Sequence, residues 1–141
     1  MRWIYFLIIH LKEDKDIEVG SLGKIEFENG YYVYIGSAQN GLEARVNRHL
    51  SEDKSKHWHV DYLLEFAAIE KVYIVEAERK DKECDGASYL KKYGSEIDGF
   101  GSSDCDCSSH LFFISKRLDE AEDIVSNFND SKRLDLTSMD S

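Results

Sequence analysis

The sequence predicts one α+β domain in which a small, mainly antiparallel sheet of three to five strands is flanked by helices. Apolar runs with strand character alternate with segments whose apolar residues recur every three or four positions. The chain has 141 residues, a common size for a single core, and neither an internal repeat nor a linker divides it. We therefore assign residues 1–129 to the domain and residues 130–141 to a polar, flexible C-terminal tail.

The first part of the chain predicts two core strands with a hairpin inserted between them. Residues 3–11 are almost continuously apolar, as in a strand that is buried on both faces. Two short alternating pieces, residues 17–19 and 25–27, flank the turn sequence GSLG and indicate the hairpin. Aromatic and β-branched residues at 31–36 predict the second core strand, which we expect to end in a turn at 36–38.

Beyond this turn the apolar period changes to that of a helix. Leu42, Val46 and Leu50 recur every four residues, which predicts a helix from about Leu42 to Leu50. Similar stripes predict helices near residues 60–67, 84–94 and 118–128. Strands are predicted at 69–77 and 110–115, the latter after a Gly/Ser/Cys-rich loop at 99–109.

The charge distribution bears on the class of ligand. The net charge is −10, whereas nucleic-acid-binding proteins usually carry a basic surface. From Leu118 onward there are seven acidic residues and two basic ones, so this segment supplies half of the net charge. Residues 30–59 hold four basic and three acidic side chains besides three histidines. Residues 30–59 are therefore not acidic, in contrast to the C-terminal segment.

Cysteine usage and hydropathy predict a soluble, cytoplasmic protein. The longest apolar run, WIYFLII, is too short to cross a bilayer and lacks the basic flank of a secretion signal. The three cysteines are an odd set, and Cys105 and Cys107 are too close to pair with each other. We therefore expect no disulfide to stabilise the fold, in agreement with a reducing compartment.

One set of polar side chains could hydrolyse a phosphodiester. This reaction needs a cation on the phosphoryl oxygens, an activated water and help for the leaving oxygen. Arg45 and His49 are spaced i, i+4, so both project from one face of the predicted helix. Tyrosines on neighbouring strands and an acidic metal ligand would complete such a site. The candidate set is Tyr5, Tyr34, Arg45, His49 and Glu83.

Several motifs resemble the core of GIY-YIG nucleases. They are WIY at residues 3–5, YIG at 34–36 and GLEARVNRH at 41–49. The segments GYYVYIGSA, HWHVDYLL, EC and GSSDCDCSSHLFF are similar to one branch of that superfamily, found alone or fused to an endonuclease III-like repair glycosylase. The resemblance covers residues 3–113.

The resemblance implies a fold, a reaction and roles for individual residues. Tyr5 and Tyr34 match the motif tyrosines, and Arg45 matches the phosphate-binding arginine. His49 would transfer protons, and Glu83 would bind Mg²⁺ or Mn²⁺, with Glu78 and Glu96 as neighbouring alternatives. The implied substrate is nucleic acid, DNA first, and the implied partner is a repair glycosylase or another repair protein.

A second group of residues is predicted to contact the substrate. Its members lie within or beside the motifs, or in and directly after the loop at 99–109, and loops often carry binding residues. For the histidines, the alternative is a helix N-terminus that covers the aromatic core, and for the arginine it is a solvated helix face. The group comprises Gly36, Ser37, Arg48, His57, His59, Asp104 and His110.

The cysteines also admit a structural zinc site. Three cysteines and one histidine form a permissible ligand set for zinc, although a C-x-C-x-x-H spacing is tighter than in most zinc knuckles. The alternative for Cys84 is a small buried residue on a helix stripe. The zinc set would be Cys84, Cys105, Cys107 and His110.

Two functions from different classes remain open at this point. The polar motif residues favour a metal-dependent nuclease. Trp3, which stands where the first motif has glycine, and the acidic C-terminal segment favour a degenerate module that binds nucleic acid or a repair partner without cutting. A zinc-stabilised interaction domain is a third reading.

Overall fold

The computed structural model describes residues 2–51, 56, 58–79, 81–101, 107–128 and 131–134. In this part of the chain the α-helices are α1 (Leu42–Leu50), α2 (His59–Leu64), α3 (Lys82–Lys91) and α4 (Leu118–Ser126), and Gly20–Leu22 form a short 3-10 helix. The strands are β1 (Arg2–Leu11), β2 (Lys15–Glu18), β3 (Lys24–Phe27), β4 (Gly30–Gln39), β5 (Ala68–Ala77), β6 (Ser95–Glu96), β7 (Leu111–Ser115) and β8 (Lys132–Leu134).

The main sheet has six strands in the order β6-β7-β4-β1-β5-β8, and each neighbouring pair is antiparallel. The separate hairpin β2–β3 lies between β1 and β4 in the chain, as predicted. The predicted fold class is therefore confirmed. The sheet exceeds the expected three to five strands because β6 and β8, of two and three residues, are too short to leave a sequence pattern.

Both faces of the sheet are covered, which explains why β1 is almost wholly apolar. Tyr5, Leu7 and Ile9 face a core that contains residues of α1, α2, the hairpin and Phe100. Alternate residues of β1 face a second core that contains residues of α3 and α4. The side chains of a strand alternate between faces, so one strand can contribute to chemistry on either side.

The turn after β4 comes later than the sequence predicts. The segment at 36–38 was expected to turn because it combines glycine and serine, but it continues β4 by pairing with Ile4, Trp3 and their neighbours in β1. The chain turns instead at Asn40 and Gly41, which have φ angles of 60° and 84°. Helix α1 then begins at Leu42 and ends at Leu50, as predicted.

Three residues of the segment assigned to the tail form a strand. Lys132–Leu134 form β8, which pairs with residues 72–74 of β5 at the edge of the sheet. Residues 129–130 and 135–141 lie outside the described part of the chain. Among the described residues, none of the helices combines the length and apolar character needed to span a bilayer.

Candidate functional site

The ring of Tyr5 lies across Gly36, its partner on the neighbouring strand. The two residues pair in the β1–β4 register, and a Cβ atom at position 36 would lie 2.5 Å from both Cζ and the hydroxyl oxygen of Tyr5. Only glycine leaves room for this close approach. The Tyr5 hydroxyl is thereby held 2.9 Å from Nε2 of His49 in a buried hydrogen bond. Gly36, which was also expected to bind substrate, thus has a packing role beneath the Tyr5 ring.

The two motif tyrosines and His49 form a buried aromatic group. Tyr5 and His49 are each 2% exposed and Tyr34 is 6% exposed, and the Tyr34 ring lies 6.1 Å from the His49 ring between centroids. Burial raises the pKa of Tyr5 to about 12, although the nearby Arg45 guanidinium lowers it. Burial also raises the pKa of Tyr34 well above its usual value. Both phenols are therefore protonated at neutral pH.

Arg45 lies one helical turn before His49 and reaches the end of β4. Its Nη1 donates a hydrogen bond of 3.0 Å to the backbone oxygen of Ser37. Its guanidinium lies 4.9 Å from the centre of the Trp58 ring, a cation–π distance. The side chain is half-buried, so the cation is fixed in place but still reachable from solvent.

Glu83 reaches the same end of β4 from the opposite face of the sheet. The Ser37 hydroxyl donates a hydrogen bond of 3.3 Å to Oε1 of Glu83, while Oε2 lies 3.5 Å from Nδ1 of His110. Glu83 can reach Ser37 because β4 continues to Gln39, whereas the last residue of β4 that pairs with β7 is Tyr34. The carboxylate is 16% exposed. Ser37 and His110, both expected to contact the substrate, therefore meet at the Glu83 carboxylate.

The other two candidate glutamates lie elsewhere. The carboxylate of Glu96 accepts a hydrogen bond from the Ser108 hydroxyl and lies 3.7 Å from Lys91. Glu78 is exposed just after β5 ends at Ala77. Of these glutamates, Glu83 is the one in contact with Ser37 and His110.

Burial lowers the pKa of two histidines near the site. One is His110, whose Nδ1 lies 3.5 Å from the carboxylate of Glu83. Burial also lowers the pKa of His59, whose Nδ1 accepts a hydrogen bond of 2.8 Å from the backbone N–H of Gly101. His59 thus anchors the turn after Phe100, and as the first residue of α2 beside the Phe100 ring it fits the alternative of a helix N-terminus that covers the aromatic core.

Arg48 forms an ion pair with Asp61, which was not among the predicted site residues. Its guanidinium donates two hydrogen bonds of 3.0 Å to the carboxylate of Asp61, which is 1% exposed. Arg48 also lies 4.2 Å from the centre of the Trp58 ring. The charge expected to contact phosphate is therefore paired with a buried carboxylate.

Asp61 joins α1 to the start of α2. Besides binding Arg48, it accepts a hydrogen bond of 2.9 Å from the backbone N–H of Trp58, the residue before the helix. A side chain at the third position of a helix that bonds back to the cap N–H forms one half of a capping box, although Trp58 stands where that motif has Ser or Thr. The pairing with Arg48 left no comparable signal, because the two residues come from different helices. His57, Asp104 and Cys105 lie outside the described residues.

Comparison with known protein families identifies the domain. The family model described as domain of unknown function DUF123 matches residues 4–133. The chain belongs to the DUF123 family. No curated protein and no solved structure matches it. All the described site residues lie within the matched range, so the cluster is part of the DUF123 domain itself.

Two cysteines of this DUF123 domain are paired, although the sequence predicts no disulfide. Cys84 and Cys107 form a disulfide, with their Cα atoms 6.1 Å apart. The expectation of no disulfide is therefore wrong, because only the folded chain brings these two residues together. The disulfide uses two thiols of the proposed zinc set. Among the described residues, no three His, Cys, Asp or Glu side chains form a metal-binding group.

A cleft of about 910 Å³ adjoins the aromatic group of the DUF123 domain. His49 and Asp61 line it, together with residues from the end of β1 and the start of β5, whereas Tyr5, Arg45 and Glu83 do not. His49 therefore lies between the cleft and the other candidate catalytic residues. Those residues, Tyr5, Arg45 and Glu83, meet near the end of β4.

Proposed function

We propose that this DUF123 domain is a GIY-YIG-type nuclease that hydrolyses nucleic-acid phosphodiester bonds with Mg²⁺ or Mn²⁺, with DNA as the first substrate to test. The observation that carries the proposal is the convergence of Tyr5, His49, Arg45 and Glu83 at the end of β4. They come from β1, α1 and α3, which are separated in the chain, and they combine a proton-transfer pair, a cation and a carboxylate.

Arg45 would bind the scissile phosphate. The Ser37 backbone oxygen and the Trp58 ring fix its guanidinium without neutralising it. A guanidinium offers several N–H donors in one plane, which suits two phosphoryl oxygens at once. Charge that develops on those oxygens in the transition state would then meet a prearranged cation.

Glu83 would hold the metal ion. Mg²⁺ commonly uses only one or two protein carboxylates, completing its shell with water and substrate phosphate oxygens, so a lone glutamate fits this ion. Such an ion supplies charge neutralisation at the leaving oxygen. Ser37 and His110 contact the two carboxylate oxygens and would keep them oriented.

Tyr5 and His49 would remove a proton from the attacking water. Because the pKa of Tyr5 is raised to about 12, almost no phenolate is present at pH 7, so Tyr5 cannot act alone as the resting base. In the tautomer with Nε2 unprotonated, however, His49 can accept the Tyr5 proton over the 2.9 Å hydrogen bond while Tyr5 takes a proton from water. Tyr34 packs against His49 and would keep the imidazole in place.

Two further parts of the proposal concern location and partners. We infer a cytoplasmic location from the short apolar run at the start of the sequence, and from the family resemblance we infer a repair glycosylase or another repair protein as a partner. Co-purification of such a partner with the tagged full chain, and its loss at high salt, would test the second inference.

The test of the proposal is a cleavage assay on labelled single-stranded, duplex, flapped, branched and abasic DNA and on structured RNA. Each substrate is incubated with Mg²⁺, Mn²⁺ or chelator. We expect metal-dependent cleavage that falls at least about 100-fold in Glu83→Gln. Asp85→Asn, an exposed acid on the same helix, is the matched control and should keep wild-type activity. Equal activity of Glu83→Gln and Asp85→Asn would reject Glu83 as the metal ligand.

One observation favours the binding module as a second candidate. Tyr5, Tyr34 and His49, the groups that would transfer protons, are almost fully buried, whereas Arg45, Ser37 and Glu83 are partly exposed. A site of this kind could hold a phosphate at its surface without activating water. Binding of nucleic acid that Arg45→Ala weakens, with no cleavage of any substrate in any metal, would select this function.

A further inference from the structure

The disulfide lies beside the proposed metal ligand. Cys84 follows Glu83 in the first turn of α3, and Cys107 precedes His110 by three residues at the entrance to β7. Glu83 and His110 themselves lie 3.5 Å apart. The disulfide therefore links the two segments that meet at the Glu83 carboxylate, and its Cα–Cα distance of 6.1 Å lies in the usual range for a disulfide.

The β7 end of the link is firmly held. The His110 N–H donates to the Phe100 oxygen at 2.8 Å, and the His110 oxygen accepts from the Ile35 N–H at 2.9 Å. Ser109 is 1% exposed, and its hydroxyl contacts the backbone oxygens of Ile97 and Leu111. This segment is ordered by hydrogen bonds of its own.

The α3 end is held less firmly. The residue before the helix, Asp81, is exposed and provides no side-chain cap for the first turn. Lys82, Glu83 and Cys84 are half-buried, and the fully buried residues of α3 begin at Gly86. Helix ends fray when they lack caps and burial. The first turn, which carries Glu83, thus depends on contacts such as the disulfide.

We propose that the Cys84–Cys107 disulfide is a positioning element that fixes the first turn of α3, and thereby the Glu83 carboxylate, against the ordered entrance of β7. The part that concerns metal binding rests on the proposed nuclease function. Both cysteines are half-buried, so small thiols can reach the link. In a reducing compartment such a disulfide is usually reversible, which makes metal affinity dependent on redox state.

The chemistry is thiol–disulfide exchange. The thiolate of a small dithiol attacks one sulfur of the disulfide, and the released cysteine thiolate takes up a proton. The second thiol of the reagent then displaces the other cysteine. The protein gains two thiols, and the dithiol is oxidised to its cyclic disulfide. Oxidised glutathione reverses the change and is itself reduced to two thiols.

Hydrogen exchange tests the positioning without any need for catalysis. The full chain is oxidised with oxidised glutathione or reduced with dithiothreitol, and a cross-linked peptide identifies the disulfide. We expect reduction to speed exchange of the amides at 85–87, which bond to carbonyls of the first turn, by about tenfold. The amides of β7 should change little. Cys84→Ser should exchange like the reduced protein under both conditions, whereas Cys105→Ser should respond to reduction like wild type.

Mn²⁺ binding, measured as free Mn²⁺ by electron paramagnetic resonance, tests the functional consequence. We expect reduction to weaken binding about tenfold in wild type and to have no effect in Cys84→Ser. Unchanged exchange at 85–87 after reduction, or no cross-linked peptide after oxidation, would overturn the positioning role. A redox-dependent exchange rate without Mn²⁺ binding in either state would leave that role standing and reject the metal site of the proposed nuclease.

Discussion

At the scale of single residues, the contact of Gly36 with Tyr5 has the clearest consequence. A methyl group at position 36 would lie 2.5 Å from the Tyr5 ring, which His49 and the β1–β4 pairing hold in place. We expect Gly36→Ala to lower the free energy of unfolding by about 1–3 kcal/mol, measured by urea denaturation, because the ring must move. In a Tyr5→Ala background the same substitution should cost less than about 1 kcal/mol. An equal cost in both backgrounds would contradict this contact.

Two histidines whose pKa values are lowered in the fold make stability depend on pH. Because burial lowers the pKa of His59 and His110 from the usual 6.5, the unfolded chain takes up these protons first as the pH falls. Their contribution to stability is therefore present above about pH 6.5 and is lost as the pH falls through their folded-state pKa values. Protonation at Nδ1 would also remove the hydrogen bond from Gly101 to His59.

We expect the melting temperature of the wild type to fall between pH 7.5 and pH 5.5, measured by circular dichroism. In His59→Gln the fall should be smaller, because one of the two groups no longer titrates. A fall of the same size in both proteins would show that His59 makes no contribution.

At the scale of secondary structure elements, Asp61 connects α1 to α2. Replacing it by Asn removes the charge that pairs with Arg48 and weakens the hydrogen bond to the Trp58 N–H. Breaking a fully buried ion pair costs about 3–5 kcal/mol, but Arg48 is 27% exposed and can turn to solvent. We therefore expect Asp61→Asn to lower the free energy of unfolding, measured by urea denaturation, by roughly 2 kcal/mol.

Glu65→Gln is the matched control for this prediction. Glu65 lies just after α2 and pairs with Lys56 at the surface, where an ion pair contributes little. Glu65→Gln should lower the free energy of unfolding by no more than about 0.5 kcal/mol. A cost of Asp61→Asn as small as that of Glu65→Gln would mean that the buried pair does not hold the two helices together.

The elements differ in how well the sequence predicts them. Helix α1 was predicted at its observed limits because Leu42, Val46 and Leu50 pack on the sheet at helical spacing. The end of β4 was misread as a turn because local propensity at 36–38 is overridden by pairing with β1. The edge strand β8 escaped prediction for a similar reason, since it depends on β5 for its hydrogen bonds.

The site was predictable only where its geometry is local. The spacing of Arg45 and His49 places both on one face of α1, and the structure confirms that placement. The disulfide and the Arg48–Asp61 pair depend on distances between separate elements, which no spacing in the sequence encodes. The need for glycine at position 36 comes from Tyr5, its partner on the adjacent strand β1, and not from neighbouring residues in the sequence.

At the scale of the whole molecule, the excess of acidic residues limits how nucleic acid can bind. The chain has 18 lysines and arginines against 28 aspartates and glutamates, and Arg48 and Arg117 are already paired with carboxylates. We expect few phosphate contacts, with Arg45 the main one. The plot of log binding constant against log salt concentration should then have a slope of about −1 to −2.

This slope can be measured by fluorescence anisotropy of a labelled duplex between about 50 and 200 mM salt. Glu83→Gln in chelator prevents cleavage during the titration, and Arg45→Ala in the same background should flatten the slope by about one unit. A slope steeper than about −4 would reveal a broad basic surface that the charge distribution does not lead us to expect.

The most direct test of the central claim is the single-turnover cleavage rate of Arg45→Ala, on the best substrate and with Mn²⁺. The proposed site predicts a fall of at least about 100-fold, because a prearranged cation is lost where transition-state charge develops. Circular dichroism should show an intact fold, and Arg117→Ala, which removes an exposed arginine at the start of α4, should cut at the wild-type rate. Equal rates for Arg45→Ala and wild type would contradict the assignment of this cluster as a phosphodiester-cleaving site.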